Sequence, residues 1–369
     1  MVAYSMGAVR RTPLVEVALS EAIGKVLGVD VRSRTDLPIS ATSAVEGWAV
    51  AGDGPWRVVD GPIPQQAQEL EAGTAIAVAA GASVPLGTRA VLRRKDGRYD
   101  GTVIQTHRIP PGRDIRPAGE ECTAGAVLLS AGTMLTPPMV GLAAAASWET
   151  VTVARRPDVE IVILRGDPRD PLGPQLPAWV ASYGAYVTRA VRYCDQPAKA
   201  LADLGETADV TVLVASSAAS GREELRAALA EANADVVIDG VAVRPGHPVT
   251  LALLPSGRVV VGLPSTPQSA LLGVVTLLGP VIAGLQGRVT GPLATGRLDQ
   301  AIPGRGSDTV LRPVIRTMTP GVYSPVDYIG AGMLRGIAAA DGIAVVPSGG
   351  RHAGAMVDIL PMPWSGAIN

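Results

Sequence analysis

The stretch ADVTVLVASSAASGREE (208–224) opens with a β-branched, apolar run at 210–215. It passes through small residues at 216–221 and enters the helical pattern REELRAALAEANA (222–234). So short and apolar a run suits a strand buried on both faces, and the helix after it makes half of a βαβ unit. Similar runs lie on either side: DVEIVILRGD (158–167), GAYVTRAVRY (184–193), ADVVIDGVAV (234–243) and RVVVGLP (258–264). Helical patterns at 176–184, 197–206 and 269–285 alternate with them. Strands alternating with helices predict a doubly wound, mostly parallel α/β domain.

In such a sheet ligands bind beyond the carboxyl ends of the strands. Three ends are readable: LRGDP (164–168), VASSAASGREE (214–224) and GLPSTPQS (262–269). The second offers Ser220 as a helix cap with Glu223 three residues on, and the third offers Thr266 as N-cap with Pro267 at the first helical position. Helix N-termini with free N–H groups attract phosphates and other oxyanions. The turn in VAVRPGHPVT (241–250) adds Arg244 and His247, held by Pro245, Gly246 and Pro248 in a segment with few conformations to lose. Together these residues make a candidate anion or nucleotide site. Each also has a structural reading: caps stabilise any helix, Asp167 suits an Asx-turn, and Arg244 suits a solvated surface. Outside this region Glu46, Glu120 and Glu121 stand in Gly-rich turns. Carboxylates joined by phosphates are how Mg²⁺ is usually held.

A chain of 369 residues exceeds what one core supports, so several domains are expected. Segment 43–116 alternates short apolar runs with Gly, Pro and Asp turns and reads as a small β-rich module, as does 299–363. LVEVALSEAIGKVL (14–27) has apolar residues at helical spacing and predicts a helix. The net charge of −1 argues against a nucleic-acid partner. SALLGVVTLLGPVIAGL (269–285) lacks charge over 17 residues, but it is short for a span and holds Gly273, Gly279 and Pro280. It reads as a helix buried against the sheet, so no membrane partner is expected. Cys122 and Cys194 fit neither a metal motif nor a disulfide framework. With no signal-like apolar core at the start, a cytoplasmic location is expected.

Eight stretches in register resemble the molybdopterin molybdenumtransferases, the molybdenum insertases of MoeA type that include the gephyrin E domain. They are DLPISATSAVEGWAVAG (36–52), AVAAGASVPLGTRAVLRR (77–94), GRDIRPAGEECTAGAVLLSAGTML (112–135), VEIVILRGDP (159–168), ADVTVLVASSAASGREE (208–224), VAVRPGHPVT (241–250), VVVGLPSTPQSALLG (259–273) and IGAGMLRGIAAADGIAVVP (329–347). The resemblance implies a multidomain α/β protein. Its parts are an elongated linker and dimerisation region (1–42 and 121–156), an inserted β-rich module (43–120), a molybdopterin-binding α/β domain (157–293) and a C-terminal β domain (294–363). It also implies a homodimer, and an enzyme that inserts molybdate into adenylylated molybdopterin with Mg²⁺ and releases AMP. By motif position, Glu46, Glu121, Asp167 and Glu224 would be catalytic, with Glu46, Asp167 and Glu224 facing the metal. Arg116, Ser216, Ser217, Arg244, His247, Ser265, Thr266 and Arg312 would face the pterin phosphate and nucleotide.

The chain departs from the family pattern at several of these positions. Glu46 and Glu121 replace aspartates, and Pro168 replaces a glutamate. Ser216 and Ser217 replace paired glycines, and Arg244 and His247 replace two lysines. Ala331 replaces a serine. Charge-preserving exchanges still displace the charge by about 1 Å, which a positioned site tolerates poorly. They motivate a second reading, a paralogue that keeps the fold as a binding or scaffold protein without turnover. The altered cationic turn also leaves room for another anion, such as tungstate.

Overall fold

In the computed structural model, residues 1–59, 69–106, 109–165, 170–189, 191–205 and 207–364 are described. The region around 208–224 lies at the centre of a seven-stranded sheet. Its elements are β1 (Asp158–Leu164), α1 (Leu172–Ser182), β2 (Tyr186–Val187), β3 (Arg192–Cys194), α2 (Pro197–Ala202), β4 (Val210–Ala215), α3 (Ala219–Glu231), β5 (Asp235–Asp239), β6 (Thr250–Leu253), β7 (Val259–Pro264) and the long helix α4 (Pro267–Leu285). The spatial order is β2-β1-β4-β7-β6-β5, with β3 also beside β1. Strands β1, β2, β3, β4 and β7 run parallel, whereas β6 and β5 continue the sheet by antiparallel pairing.

The alternation of side chains along β1 explains why helices cover both faces. Val159, Ile161 and Ile163 pack with Leu172, Leu176 and Val180 of α1 and with Leu271, Val281 and Ile282 of α4. Val162 and Leu164 point the other way, toward Ala200 of α2 and Leu225 and Leu229 of α3. Every residue of β4 and β7 is buried, as strands sandwiched between helices require.

Helix α4 contains a π-helical segment at Val274–Leu278, and 89% of its most apolar window is buried within the protein. The run 269–285 is thus packed as a core helix against the sheet. The first helix, Val2–Ala8, crosses it where Gly7 meets Gly284, close enough that a side chain on either would strike the other's backbone.

One expectation fails. The stretch 14–27 is not a helix: Leu14–Ala18 is a strand paired antiparallel with Thr150–Ala154. Its Val15 and Val17 fit a period of two as well as a helical one, and their β-branches suit a pleated ribbon. The mostly parallel sheet ends in β5, an antiparallel edge strand with Val236 and Val237 exposed.

Three ribbons of this kind join the start of the chain to residues 115–154, through the pairs Leu14–Ala18 with Thr150–Ala154, Val31–Arg32 with Val127–Leu129, and Thr42–Ser43 with Ile115–Arg116. A six-stranded sheet covers Gly47–Ala51, Trp56–Val58, Thr74–Val78, Thr88–Arg93, Arg98–Tyr99 and Val103–Gln105. Toward the C-terminus, Ala294–Leu298, Thr309–Arg316, Val322–Pro325, Gly342–Val346 and Met356–Pro361 pair in a closed ring. Val243–Arg244 adds to that ring by pairing parallel with Thr309 and Val310, so the α/β segment reaches into the C-terminal sheet.

Replacing Gly284 with alanine is expected to force the first helix off α4, destabilising the protein by about 1–3 kcal/mol. A urea unfolding midpoint equal to that of the parent would show that the crossing has slack.

A cationic cavity between the sheet and the C-terminal barrel

Because β6 runs antiparallel to β7, Thr250 lies opposite Gly262, and the turn that precedes β6 stands at the carboxyl end of β7. The short strand Val243–Arg244 fixes the other end of the turn on the C-terminal ring. Gly246 adopts φ +115°, a conformation L side chains rarely take. These constraints close a cavity of about 450 Å³. Its walls include Ser217 after β4, Arg244 and His247 from the turn, Thr266 and Gln268 at the start of α4, and Arg305 and Arg312 from the C-terminal ring.

Arg244, His247 and Arg312 are each held by one protein contact and keep another nitrogen without one among the described residues. Arg244 donates from Nε to Asp308 Oδ2 at 2.7 Å, and its two terminal nitrogens have no protein partner among the described residues. His247 Nδ1 lies 2.6 Å from the Val241 carbonyl, so this nitrogen carries the proton and donates; Nε2 is left for a ligand. The His247 carbonyl accepts from the amides of Val241 and Val249, which locks the turn. Arg312 donates from Nη2 to the Val326 carbonyl at 2.9 Å, and its Nε is buried without a partner. Burial draws the Arg312 pKa below its ordinary value, and the charge of Asp327 opposes that shift. Among the described residues Arg305 has no carboxylate partner, so the wall carries more positive than negative charge. On the polar side, Ser217 Oγ and Thr266 Oγ1 are 3.2 Å apart.

The capping expectations need correction. Ser220 is not the cap of α3; the N-cap is Ala218, with no side-chain hydrogen bond, and Ser220 sits inside the first turn. Thr266 does occupy the N-cap of α4, but its hydroxyl meets Ser217 rather than a helix N–H. Nor are those N–H groups free: the Ala331 carbonyl accepts from the amides of Gln268 at 2.9 Å and Ser269 at 3.4 Å. A neighbouring loop supplies the helix start with the acceptor that an oxyanion was expected to provide.

The cavity thus gathers Ser217, Arg244, His247, Thr266 and Arg312 of the expected residues. Ser216 and Ser265 adjoin it without lining it; Ser216 Oγ accepts from the Ala218 amide at 3.3 Å. The other expected residues stand apart from the wall. Glu46 is exposed beside the Gly47–Ala51 strand, and Glu121 is exposed. Arg116 binds Glu120 at 2.7 Å, and Glu224 binds Arg165 at 2.7 Å. Asp167 and Pro168 lie outside the described residues. Among the described residues no three His, Cys, Asp or Glu side chains gather as a metal site. The sequence reading missed Gln268 and Arg305. The available signals were an amide at the head of an otherwise apolar helix and an arginine between glycines at 304–306.

The fold and the cavity define a multidomain α/β protein with an arginine-lined pocket between its central sheet and a C-terminal barrel. Comparison with known proteins narrows the class. Residues 3–147 match the model of the MoeA N-terminal region (domain I and II). Molybdopterin molybdenumtransferase 2 of Mycobacterium tuberculosis is 29% identical over 304 residues, 72% of this chain and 74% of that protein. Molybdopterin molybdenumtransferase of Synechococcus elongatus is 27% identical over 322 residues, 78% of each chain. A molybdopterin biosynthesis MoeA protein from Pyrococcus horikoshii superposes with a TM-score of 0.79 at 20% identity, covering 97% of this chain and 98% of its own. Together these matches support a MoeA-type family member.

Gly246→Ala is expected to strain the turn by about 1–3 kcal/mol and to move His247 out of the cavity wall. Tm and anion affinity should fall together; an unchanged Tm would mean that the turn relaxes without cost.

Proposed function

We propose that this chain binds a molybdopterin in the cavity and acts in molybdenum cofactor biosynthesis as a molybdopterin molybdenumtransferase. In this reading it inserts molybdate into adenylylated molybdopterin and releases AMP, with Mg²⁺ required. The observation that carries the proposal is the meeting of Arg244, His247, Arg305 and Arg312 with the hydroxyls of Ser217 and Thr266 in one cavity of about 450 Å³. An excess of cationic donors suits phosphate and molybdate, both oxyanions. The names of the relatives support the substrate class.

Roles follow from the donors. The terminal nitrogens of Arg244 grip one phosphate edge, while Asp308 keeps the guanidinium plane from turning. His247 contributes through Nε2. Ser217 and Thr266 supply short hydroxyls that donate to or accept from the bound group. Glu46, Asp167 and Glu224 remain the carboxylates proposed to face Mg²⁺, with Glu121 the fourth acidic residue and Arg116 a further oxyanion contact. The described donors form no metal cluster, so no step here runs through the ion.

A homodimer in the cytoplasm is part of the same proposal. So is a division into residues 1–42 with 121–156, 43–120, 157–293 and 294–363. A second reading, the paralogue without turnover, is favoured by the Ala331 carbonyl on the head of α4 and by the Arg165 contact on Glu224.

Titration with adenylylated molybdopterin should show that Arg244→Ala weakens binding more than tenfold, while Tm stays near the parent's because Arg244 is half-exposed. Unchanged affinity would remove the turn from the site. AMP release in the presence of molybdate and Mg²⁺ separates the two readings: tight binding without release would identify the scaffold.

A further inference from the structure

Gln268 is completely buried, yet its side-chain Nε2 has no hydrogen-bond partner. Its orientation is determined by its neighbour: Oε1 accepts from the Gly330 amide at 2.9 Å. A flipped amide would set two donors against each other, so the NH₂ group is the end left over. Its backbone N–H is already committed to the Ala331 carbonyl. Native proteins seldom leave a buried donor unpaired, because the group has lost its water and gained nothing.

The surroundings say what is missing. Gln268 and Arg312 both line the cavity, and Nε of Arg312 is a second buried donor without a partner. Both orphans are donors, so the absent group is an acceptor. With Arg244 and Arg305 in the same wall, the acceptor is anionic. The head of α4 cannot meet it through the backbone while Ala331 occupies those amides, which leaves side chains to do so.

We propose that the Gln268 carboxamide is a direct ligand contact, donating from Nε2 to a phosphate oxygen bound in this cavity. The inference rests on the anion-binding reading of the cavity and adds to it a contact on α4 itself. Its Oε1 holds the 330–331 loop while its NH₂ holds the ligand, so one side chain joins loop position to occupancy.

The test uses the full chain with glutamine side chains labelled at ¹⁵Nε2 and titrated with inorganic phosphate, AMP and molybdopterin. Loss of one NH₂ pair in Gln268→Met assigns the Gln268 signal. The expected result is that this pair shifts on titration and saturates with the calorimetric Kd. Gln268→Met should also bind phosphate at least fivefold more weakly, and the three titrants show whether nucleotide or pterin phosphate is the better donor of that oxygen. A silent Gln268 signal, alongside phosphate binding that Arg244→Ala abolishes, would overturn this proposal and leave the cavity reading standing. No binding of any titrant by the parent protein would overturn both.

Discussion

The pairing of Thr250 with Gly262 is the contact on which the site depends. A parallel strand at that position would have started from the opposite edge of the sheet and carried the turn at 244–248 away from the carboxyl ends of β4 and β7. Antiparallel pairing reverses this. The turn emerges beside the loops that follow both central strands, and the parallel pair Val243–Arg244 with Thr309–Val310 ties it to the C-terminal ring. Two short strands thus set the distance between the sheet and the C-terminal ring, which also share a core through Leu311, Ile337 and Ile343, and the cavity lies between them. The rigidity comes from the cores behind: the β4 and β7 strands are wholly buried, as are Leu311 and Val314 beside Arg312.

The parts of the fold that could be read in advance are those with one dominant period. β4 and β7 are continuous β-branched runs, α3 has a clear amphipathic pattern, and the uncharged run 269–285 is short for a membrane span and follows directly on a strand. Their types were legible because each follows from its own residues. Where two periods compete, as at Leu14–Ala18, five residues of LVEVA satisfy both, and only the partner Thr150–Ala154 decides. Pairing direction was illegible for a similar reason. Thr250–Leu253 is apolar like its parallel neighbours, and nothing in four residues records which way they run.

The candidate site divides in the same manner. Arg244, His247 and Thr266 were readable because strand ends in an α/β sheet converge, and Ser217 came through the resemblance. Arg312 came only through the resemblance. Gln268 and Arg305 were missed because their significance is relational: a glutamine at a helix head is ordinary until burial removes its water. The head of α4 illustrates the limit most sharply. Thr266 and Pro267 do start the helix, but whether its amides are free depends on residue 331, more than sixty positions away, whose backbone carbonyl carries no signature in the sequence at all.

The two replaced lysines change what this wall can do more than their charge implies. An ammonium is a point charge with three rotatable donors, and a lysine neutralised by a carboxylate has little direction left for a ligand. Arg244 divides its work: Nε holds Asp308, and the remaining edge keeps two donors in a fixed plane. His247 divides its ring likewise, with Nδ1 on the Val241 carbonyl and Nε2 open. Both side chains are therefore oriented before any ligand arrives, and less conformational freedom is lost on binding. The same division recurs in Gln268, fixed through Oε1 and open through Nε2, and in Arg312, fixed through Nη2 with Nε unpartnered. Four side chains from three segments follow one rule, in which a protein contact sets the angle and leaves a nitrogen over. In the proposed reading, that repeated arrangement is what would make the wall a preorganised oxyanion site rather than a surface that is merely basic.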